Sequence, residues 1–447
     1  MSDLEALLWS LEGSDPRLRA AITVVTLLDS SPGIDHLRAR AQLLAAHLPR
    51  LAQRIEAGPV ALSKPRWVSD DDFDPAWHVR VVRAPVASGL DGVLALAAPL
   101  ATEGFDRSRP PWHMLLVEDI DAVGAAALVI RLHHVCTDGV GALRLAAVLF
   151  DLAPGAAPPG PPPPPVDDLP QPGPVGDAFW RSLGAARDRL PALAATAREV
   201  FGDPHPRAQA TVDLVRSVAR LASPGDAALS PVMTGRSLAS DLGAIDLDLD
   251  QAGTAGREAG GTINDVFVAG LLEGLRLYHA AHGHRPEALR IGVPINLRAD
   301  DTDASVTNAF APARITAPLQ ILDPSARIAA VHGLILRERH QPAHDIIGPL
   351  AGVVHRLPMA RAAMSAALGS LDALASNVPG PPVPLWLGPA RVTALYPYGP
   401  RSGAGLNVTL LSHERSARIG VHADPAATPD VGVLVDCLRD GLESTLP

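Results

Sequence analysis

The sequence predicts an α/β protein built from two lobes, and three observations support this prediction. The chain has 447 residues, 47% of them hydrophobic, so it is long for one domain and has enough apolar side chains for two cores. Patterns typical of strands and of helices alternate up to about Asp151, as they do in α/β proteins. A proline-rich segment then separates this part from the rest. We therefore expect four parts: an N-terminal lobe at 1–152, a linker at 153–176, a helical connecting segment at 177–228 and a C-terminal lobe at 229–447.

The middle of the chain has an unusual composition. Five consecutive prolines occupy 161–165, and such a run favours an extended, semi-rigid linker. A ligand for a proline-binding domain is the alternative interpretation. Within the next stretch, 177–222, an apolar helical stripe lies beside basic residues: Phe179, Leu183, Ala186 and Leu190 beside Arg181, Arg187 and Arg189. This stripe either lies on a membrane surface or packs against the second lobe.

The composition argues against several classes of protein. The formal net charge of −10 disfavours nucleic-acid binding, which needs clustered basic surface. No run approaches 18 uncharged apolar residues and the first residues lack a basic region, so we expect neither a transmembrane helix nor a signal peptide. Two cysteines, Cys136 and Cys437, cannot form a disulfide framework. This cysteine usage predicts a cytoplasmic protein. The chain also has no zinc-type Cys/His spacing and no glycine-rich phosphate loop, so we expect no metal site.

The most chemically informative segment is 133–139, which has the sequence HHVCTDG. It follows the apolar run 125–132, which predicts a buried strand. It precedes a helical pattern formed by Val140, Leu143, Ala147 and Phe150. Two imidazoles therefore lie where a buried strand ends, with a carboxylate four residues beyond the second. Histidine has an ordinary pKa near 6.5 and suits a general base near neutral pH, so this HHxxxDG segment is the candidate catalytic motif.

A structural interpretation of the same segment stays open at this point. A histidine pair at a strand end is often a half-buried polar pair. An aspartate that precedes a glycine at a helix start is an ordinary N-cap, because its carboxylate accepts a backbone N–H. Asp138 can cap the helix and support a site at once. A thiol inside such a motif, here Cys136, also invites the hypothesis of a nucleophile.

The HHxxxDG segment resembles the motif of the CoA-dependent acyltransferase superfamily. This superfamily includes chloramphenicol acetyltransferase, the condensation domains of peptide synthetases and the bacterial wax ester synthase/diacylglycerol acyltransferases. The rest of the chain is similar to the last of these families. The matching blocks occur in the expected order at 105–112 (FDRSRPPW), 261–266 (GTINDV), 293–298 (VPINLR), 376–381 (SNVPGP) and 403–407 (GAGLN). Pro111 stands where that family usually has leucine.

The resemblance implies a two-lobed CoA-dependent acyltransferase fold, similar to chloramphenicol acetyltransferase, in which each lobe is a mixed sheet flanked by helices. It implies transfer of a fatty acyl group from acyl-CoA, a co-substrate, to the hydroxyl of a diacylglycerol or a long-chain alcohol. The site would lie in a tunnel between the lobes that the two substrates enter from opposite sides. Because such acceptors partition into membranes and lipid inclusions, we expect peripheral contact with one of these surfaces.

The resemblance also implies roles for the residues of the HHxxxDG segment. His134 is the general base, and His133 serves local hydrogen bonding. Asp138, followed by Gly139, is mainly a structural anion held by an arginine; Arg298 is the candidate partner, and the other arginines are the alternatives. Cys136 falls at a variable position of the motif, so we do not expect a catalytic role for it.

Two pairs in the other blocks are candidate support residues. Asn264 and Asp265 open an apolar helix, where capping of the helix start is weighed equally with shaping of the substrate channel. Ser376 and Asn377 are candidates for contact with the acceptor or the oxyanion. The prolines that follow them are also explained by a rigid turn.

Two other functions stay open. The first is a condensation-type acyltransferase that acts on carrier-bound thioesters, against which the SNVPGP and IND blocks and the lack of a carrier domain argue. The second is a catalytically inert lipid-binding protein of the same fold, against which the intact HHxxxDG segment argues. The sequence does not rank diacylglycerol against a fatty alcohol, because tunnel shape decides between them and no motif reports it.

Overall fold

The structure of the protein is a computed structural model. It describes residues 1–58, 64–84, 88–137, 139–156, 228–296, 310–339 and 358–447. Two predicted site residues, Asp138 and Arg298, lie outside the described residues. The proline run at 161–165 and the amphipathic stretch at 177–222 also lie outside them, so the interpretations of both segments stay predictions.

Strands and helices alternate through the first part of the chain, as the sequence predicts. The strands are β1 (Ala21–Leu28), β2 (Gln53–Glu56), β3 (Arg66–Ser69), β4 (Val79–Arg83), β5 (Trp112–Glu118) and β6 (Ala126–His133). The helices are α1 (Asp3–Ser14), α2 (Ile34–His47), α3 (Pro75–His78), α4 (Gly89–Thr102) and α5 (Gly139–Leu149), with short 3-10 helices at Pro16–Leu18 and Pro49–Ala52.

The later part of the chain also mixes both kinds of element. Its strands are β7 (Asp241–Asp248), β8 (Ala288–Asn296), β9 (Phe310–Pro318), β10 (Ala373–Val378), β11 (Trp386–Leu387), β12 (Ala390–Tyr398), β13 (Leu406–His413) and β14 (Ser416–Ala423). Its helices are α6 (Leu249–Glu258), α7 (Ile263–Ala281), α8 (Pro324–Arg339), α9 (Pro358–Gly369) and α10 (Val431–Glu443). The buried apolar helix that the IND block was expected to open is α7.

Two six-stranded sheets form the centres of the two lobes. The first has the strand order β11-β12-β1-β6-β5-β4, and the second has the order β7-β14-β13-β10-β8-β9. Both sheets are mixed, because β4 and β5 are parallel in the first, and β10 is parallel to β8 and β13 in the second. Helices α2 and α5 cover one face of the first sheet and α4 covers the other, while α6, α7, α8 and α10 pack on the second. The prediction of two mixed sheets flanked by helices is confirmed.

Lobe membership does not follow chain order at β11 and β12. These strands, within 386–398, come from the part that the sequence analysis places in the C-terminal lobe, yet they belong to the first sheet. Strand β12 pairs antiparallel with β1, for example Thr23 with Tyr398 and Leu27 with Ala394. This pairing gives β1 a second hydrogen-bonded neighbour and buries the apolar side chains of β12. The expected lobe at 229–447 is therefore wrong for these two strands, because their apolar pattern suits either sheet.

The two lobes meet where β12 crosses strands of the second sheet. The Tyr396 hydroxyl donates a hydrogen bond to the Asp246 carboxylate at 2.8 Å. The Asn407 side-chain amide donates to the Pro400 carbonyl at 2.8 Å. Closest of all is Gly420 on β14, where an added Cβ atom would lie 1.9 Å from the Pro397 carbonyl oxygen. Only a residue without a side chain allows β12 and β14 to approach this closely.

Gly420→Ala is expected to lower the free energy of unfolding by about 1–3 kcal/mol, because the added methyl group forces β12 and β14 apart in a packed interior. The matched control is Gly432→Ala in α10, where a Cβ atom would meet nothing within 4 Å. Alanine has the better helix propensity, so this control is expected to be neutral or stabilising. Urea unfolding of the two variants measures the difference, and equal stabilities would contradict the close approach.

Candidate active site

The HHxxxDG turn, defined here as residues 133–139, begins at the end of the most buried strand of the first sheet. Every residue of β6 is buried, and this strand ends at His133. The main chain then turns back, with the Cys136 N–H bonded to the His133 carbonyl at 2.9 Å. The His134 N–H donates to the Ala20 carbonyl at 2.8 Å, which ties the turn to the residue before β1. Helix α5 starts at Gly139.

His133 is enclosed and its two ring nitrogens have different partners. Nδ1 accepts a hydrogen bond from the Val135 N–H at 3.1 Å. Nε2 lies 2.9 Å from a carboxylate oxygen of Glu12 on α1. Since Nδ1 accepts an N–H, the proton of the neutral ring is on Nε2 and is donated to Glu12. The expected local hydrogen-bonding role of His133 thus has an identified geometry.

His134 has a different environment from its neighbour. His133 is completely buried, whereas His134 is half-buried. The His134 main chain is held by Ala20, which follows the 3-10 helix Pro16–Leu18. That helix contacts the second lobe, because Leu18 packs with residues of α9 and the Ser365 hydroxyl donates to Asp15. His134 therefore lies near the junction of the lobes.

The Cys136 thiol has the environment of a structural residue. It is buried, and its sulfur donates weakly to the Pro111 carbonyl at 3.6 Å. Burial raises the pKa of this thiol to about 12. The thiol therefore stays protonated near neutral pH, whereas nucleophilic attack needs the thiolate. This finding agrees with the expectation that Cys136 is not a nucleophile.

Helix α1 contributes two residues that the sequence analysis missed. The Trp9 ring packs edge-on against the His133 ring, with centroids 5.1 Å apart, and Glu12 accepts the His133 hydrogen bond. Burial opposes ionisation of Glu12, but its interactions with His133, helped by the charge of Arg107, outweigh burial and lower its pKa. Residues 9 and 12 lie three positions apart and so share one helix face.

A sequence signal for this helix was present. The start of α1 has a capping box, because the Ser2 N–H donates to the Glu5 carboxylate at 2.8 Å and the Glu5 N–H donates to the Ser2 hydroxyl at 3.2 Å. Ser-x-x-Glu before an apolar run is a typical helix start. This pattern predicts the helix, but it does not indicate that the helix packs behind the HHxxxDG turn.

The structure places Asn264 and Asp265 at the start of α7. One Asp265 oxygen accepts hydrogen bonds from the N–H and the hydroxyl of Thr262, each at 2.8 Å. The same oxygen lies 2.8 Å from Nδ1 of His332 on α8. These partners belong to the second lobe, and they give Asp265 the capping geometry that was one of the two alternatives. Asn264 follows the cap and is half-buried.

Ser376 and Asn377 lie on β10 but point to opposite faces of the second sheet. Ala373 and Ala375 belong to the core under the helices, so alternation directs Ser376 toward the other face. Ser376 is in register with Thr409 of the neighbouring β13, on the face that β12 crosses. Asn377 is exposed near the end of β10. The two side chains therefore lie on opposite faces of the second sheet, and of this pair it is Ser376 that lies on the face crossed by β12.

Within the described ranges, no group of three or more His, Cys, Asp or Glu side chains is arranged to hold a metal ion. In the same ranges, no helix combines the length and apolar character needed to cross a membrane.

Two family models match the chain. The wax ester synthase/diacylglycerol acyltransferase catalytic domain matches residues 1–267, and the C-terminal domain of the same family matches residues 306–445. Two Mycobacterium tuberculosis proteins, both provisionally named as diacylglycerol O-acyltransferases, are similar over most of the chain. One is 33% identical over 441 residues, which cover 97% of this chain and 89% of the relative. The other is 30% identical over 428 residues, which cover 90% and 86%.

Solved structures share the fold at lower sequence identity. A wax ester synthase/diacylglycerol acyltransferase from Marinobacter aquaeolei VT8 superposes with a TM-score of 0.63 at 20% identity, covering 96% of this chain and 94% of that one. The first condensation domain of the calcium-dependent antibiotic synthetase superposes with a TM-score of 0.59 at 16% identity, covering 100% and 95%. The predicted two-lobed acyltransferase fold is confirmed.

Proposed function

Because this chain belongs to the wax ester synthase/diacylglycerol acyltransferase family, we propose that it transfers a fatty acyl group from acyl-CoA to a hydroxyl acceptor. The acceptor is a diacylglycerol, which gives a triacylglycerol, or a long-chain alcohol, which gives a wax ester. The observation that carries the proposal is the HHxxxDG turn, in which a half-buried His134 follows an enclosed, hydrogen-bonded His133 near the junction of the lobes.

The proposed reaction needs one proton carrier. A hydroxyl is a poor nucleophile until its proton is removed, so His134 takes this proton as the acceptor oxygen attacks the thioester carbonyl carbon. The tetrahedral intermediate then breaks its carbon–sulfur bond. The sulfur of CoA leaves and receives from His134 the proton that came from the acceptor hydroxyl. The products are an ester and free CoA. This direct transfer requires no acyl-enzyme.

The contacts in the HHxxxDG turn favour His134 over its neighbours as the base. His133 uses Nδ1 to accept the Val135 N–H and Nε2 to donate to Glu12, so its ring has no acceptor atom left for a substrate proton. Cys136 is buried with a raised thiol pKa. Among the described residues of the turn, His134 is part-exposed and carries a group suited to proton transfer near neutral pH.

Supporting roles are proposed for residues outside the immediate turn. We assign Asp138 to anchoring of the turn through Arg298, with Gly139 as the first residue of α5. Ser376, which faces the first lobe from β10, is the better of the two SNVPGP candidates for contact with substrate. Asp265 is assigned to the start of α7, because its hydrogen bonds are those of a helix cap.

The proposed acceptors partition into lipid phases, so the enzyme has to reach a membrane or a lipid inclusion. We propose a cytoplasmic enzyme that binds such surfaces peripherally. The basic amphipathic stripe within 177–222 is the candidate contact, and liposome cosedimentation with Gln in place of Arg181, Arg187 and Arg189 tests that assignment.

The experiment for the function is a product screen. Purified protein with palmitoyl-CoA is expected to release CoA and form ester with dioleoylglycerol or with hexadecanol, and thin-layer chromatography of labelled lipid identifies which ester is made. The His134→Ala protein is the control for spontaneous acylation. Failure to form an ester with dioleoylglycerol, with hexadecanol and with a panel of shorter alcohols would contradict the proposal.

A further inference from the structure

We propose that Glu12 of α1 is a positioning residue, which locks the His133 ring and thereby the HHxxxDG turn that presents His134. This inference rests on the proposed function only for its kinetic consequence. Its structural content is the contact between a buried carboxylate and a buried imidazole at 2.9 Å, which links the N-terminal helix to the end of β6.

Glu12 connects two parts of the chain that hold His134. Its carboxylate accepts the hydrogen bond of the His133 Nε2–H, and the nearby Ala20 main chain helps to lower its pKa. The carbonyl of the same Ala20 accepts the His134 N–H at 2.8 Å. The main chain of His134 is thus held on one side by the bond to Ala20 and on the other by its neighbour His133, whose ring Glu12 fixes.

The carboxylate also selects one tautomer of the His133 ring. With the proton on Nε2, the ring donates to Glu12 and keeps Nδ1 free to accept the Val135 N–H at 3.1 Å. With the proton on Nδ1, two N–H groups would face each other and the hydrogen bond within the turn would be lost. An acceptor that carries no proton, such as an ionised carboxylate, permits only the first arrangement.

The surroundings prevent water from replacing this contact. The side chains of His133 and Glu12 are only 1% and 9% exposed. Trp9 packs on the His133 ring from α1, and the Phe105 ring approaches from another side with centroids 6.2 Å apart. The Arg107 guanidinium lies over the Trp9 ring at 4.7 Å and close enough to Glu12 to stabilise its charge. A buried donor that loses its acceptor here stays without one.

The first test compares Glu12→Ala and Glu12→Gln by steady-state kinetics. Loss of the lock misplaces the His134 ring, so Glu12→Ala is expected to lower kcat by about 10- to 100-fold. The KM for palmitoyl-CoA should stay within about threefold of its wild-type value, because the nearly buried Glu12 acts through His133 rather than on substrate binding. Glu12→Gln can still accept the His133 hydrogen bond through its amide oxygen but lacks the charge, so its kcat should fall between those of the wild type and Glu12→Ala.

The matched control removes another part-buried carboxylate from the second lobe. Glu273 on α7 pairs with Arg276 at 2.6 Å and with Arg327 at 3.1 Å. Glu273→Ala is expected to reduce stability and leave kcat unchanged. A kcat of Glu12→Ala within twofold of the wild-type value would contradict the positioning role. An equal loss of kcat in Glu12→Ala and Glu273→Ala would contradict it as well.

A second measurement does not depend on activity. Long-range proton–nitrogen NMR spectra of the histidine rings report which ring nitrogen carries the proton, and the His133→Asn protein identifies the His133 signals. We expect the Nε2–H tautomer in the wild-type protein and a mixture of tautomers in Glu12→Gln. A His133 tautomer that is unchanged in Glu12→Gln would overturn the inference even if ester formation is confirmed. An inactive wild-type protein that shows the expected tautomers would contradict the proposed function alone.

Discussion

His134→Ala is expected to lower kcat by about 10²- to 10⁴-fold, the usual contribution of a positioned general base. The KM for acyl-CoA should change little, because the imidazole acts on the acceptor proton rather than on binding of the thioester. His133→Ala should cost less, since that ring acts only through the turn. The matched control is His284→Ala, which removes an exposed histidine of the second lobe and should leave kcat unchanged.

Turnover of His134→Ala above a tenth of the wild-type value would remove His134 from the role of base. Burst kinetics or mass spectrometry of the protein after incubation with acyl-CoA provides a further check. A covalent acyl-enzyme would contradict direct transfer. Its absence, together with a large loss of kcat in His134→Ala, supports His134 as the proton carrier.

The largest expected effect on stability belongs to Asp151→Ala. The Asp151 carboxylate accepts hydrogen bonds from Nη2 of Arg40 at 2.5 and 2.6 Å, and a further one from the Gly388 N–H at 3.1 Å. The Arg40 and Asp151 side chains are only 2% and 4% exposed. These contacts join α2, the end of α5 and the residue after β11. Removing the carboxylate leaves the guanidinium buried without its counter-charge, so we expect a loss of about 3–5 kcal/mol of stability.

The matched control for Asp151→Ala is Asp436→Ala, which breaks the ion pair of Asp436 with Arg439 on the surface of α10. Such exposed pairs contribute no more than about 1 kcal/mol. The double replacement of Arg40 with Met and Asp151 with Ala should be less destabilising than Asp151→Ala alone, because no unpaired charge is left. Urea unfolding curves measure all three variants. Equal losses for Asp151→Ala and Asp436→Ala would show that Asp151 is no structural anchor.

Local chemistry in the sequence was enough to predict the family and the general plan of the fold. The HHxxxDG segment and the ordered blocks around it depend on the identity of residues close in the chain. The buried strand before the motif, the helix after it and the helix opened by the IND block follow from periodicity over eight to nineteen residues. Periodicity of this kind is local, because it reflects which face of one element is apolar.

Other features were decided only when distant segments packed together. The neighbouring strands and helices determine which face of a strand points to the core. Only the structure therefore shows that Ser376 lies on the face toward the first lobe while Asn377 does not. The burial of Asp265 also depends on distant segments packing together, since its partner His332 lies 67 residues further along the chain. No pattern near 376–377 or 264–265 distinguishes a substrate contact from a structural one.

The sequence by itself thus determined the family, the candidate base and the alternation of strands and helices. The tertiary structure decided that β12 completes the first sheet and that Glu12 contacts His133, two residues that are 121 positions apart. The physical reason is that strand pairing and buried hydrogen bonds depend on which surfaces meet, and an apolar strand or a glutamate on a helix suits several partners equally well. Only the packed chain selects one partner. A buried donor without an acceptor costs free energy, and so does an apolar strand left exposed to water.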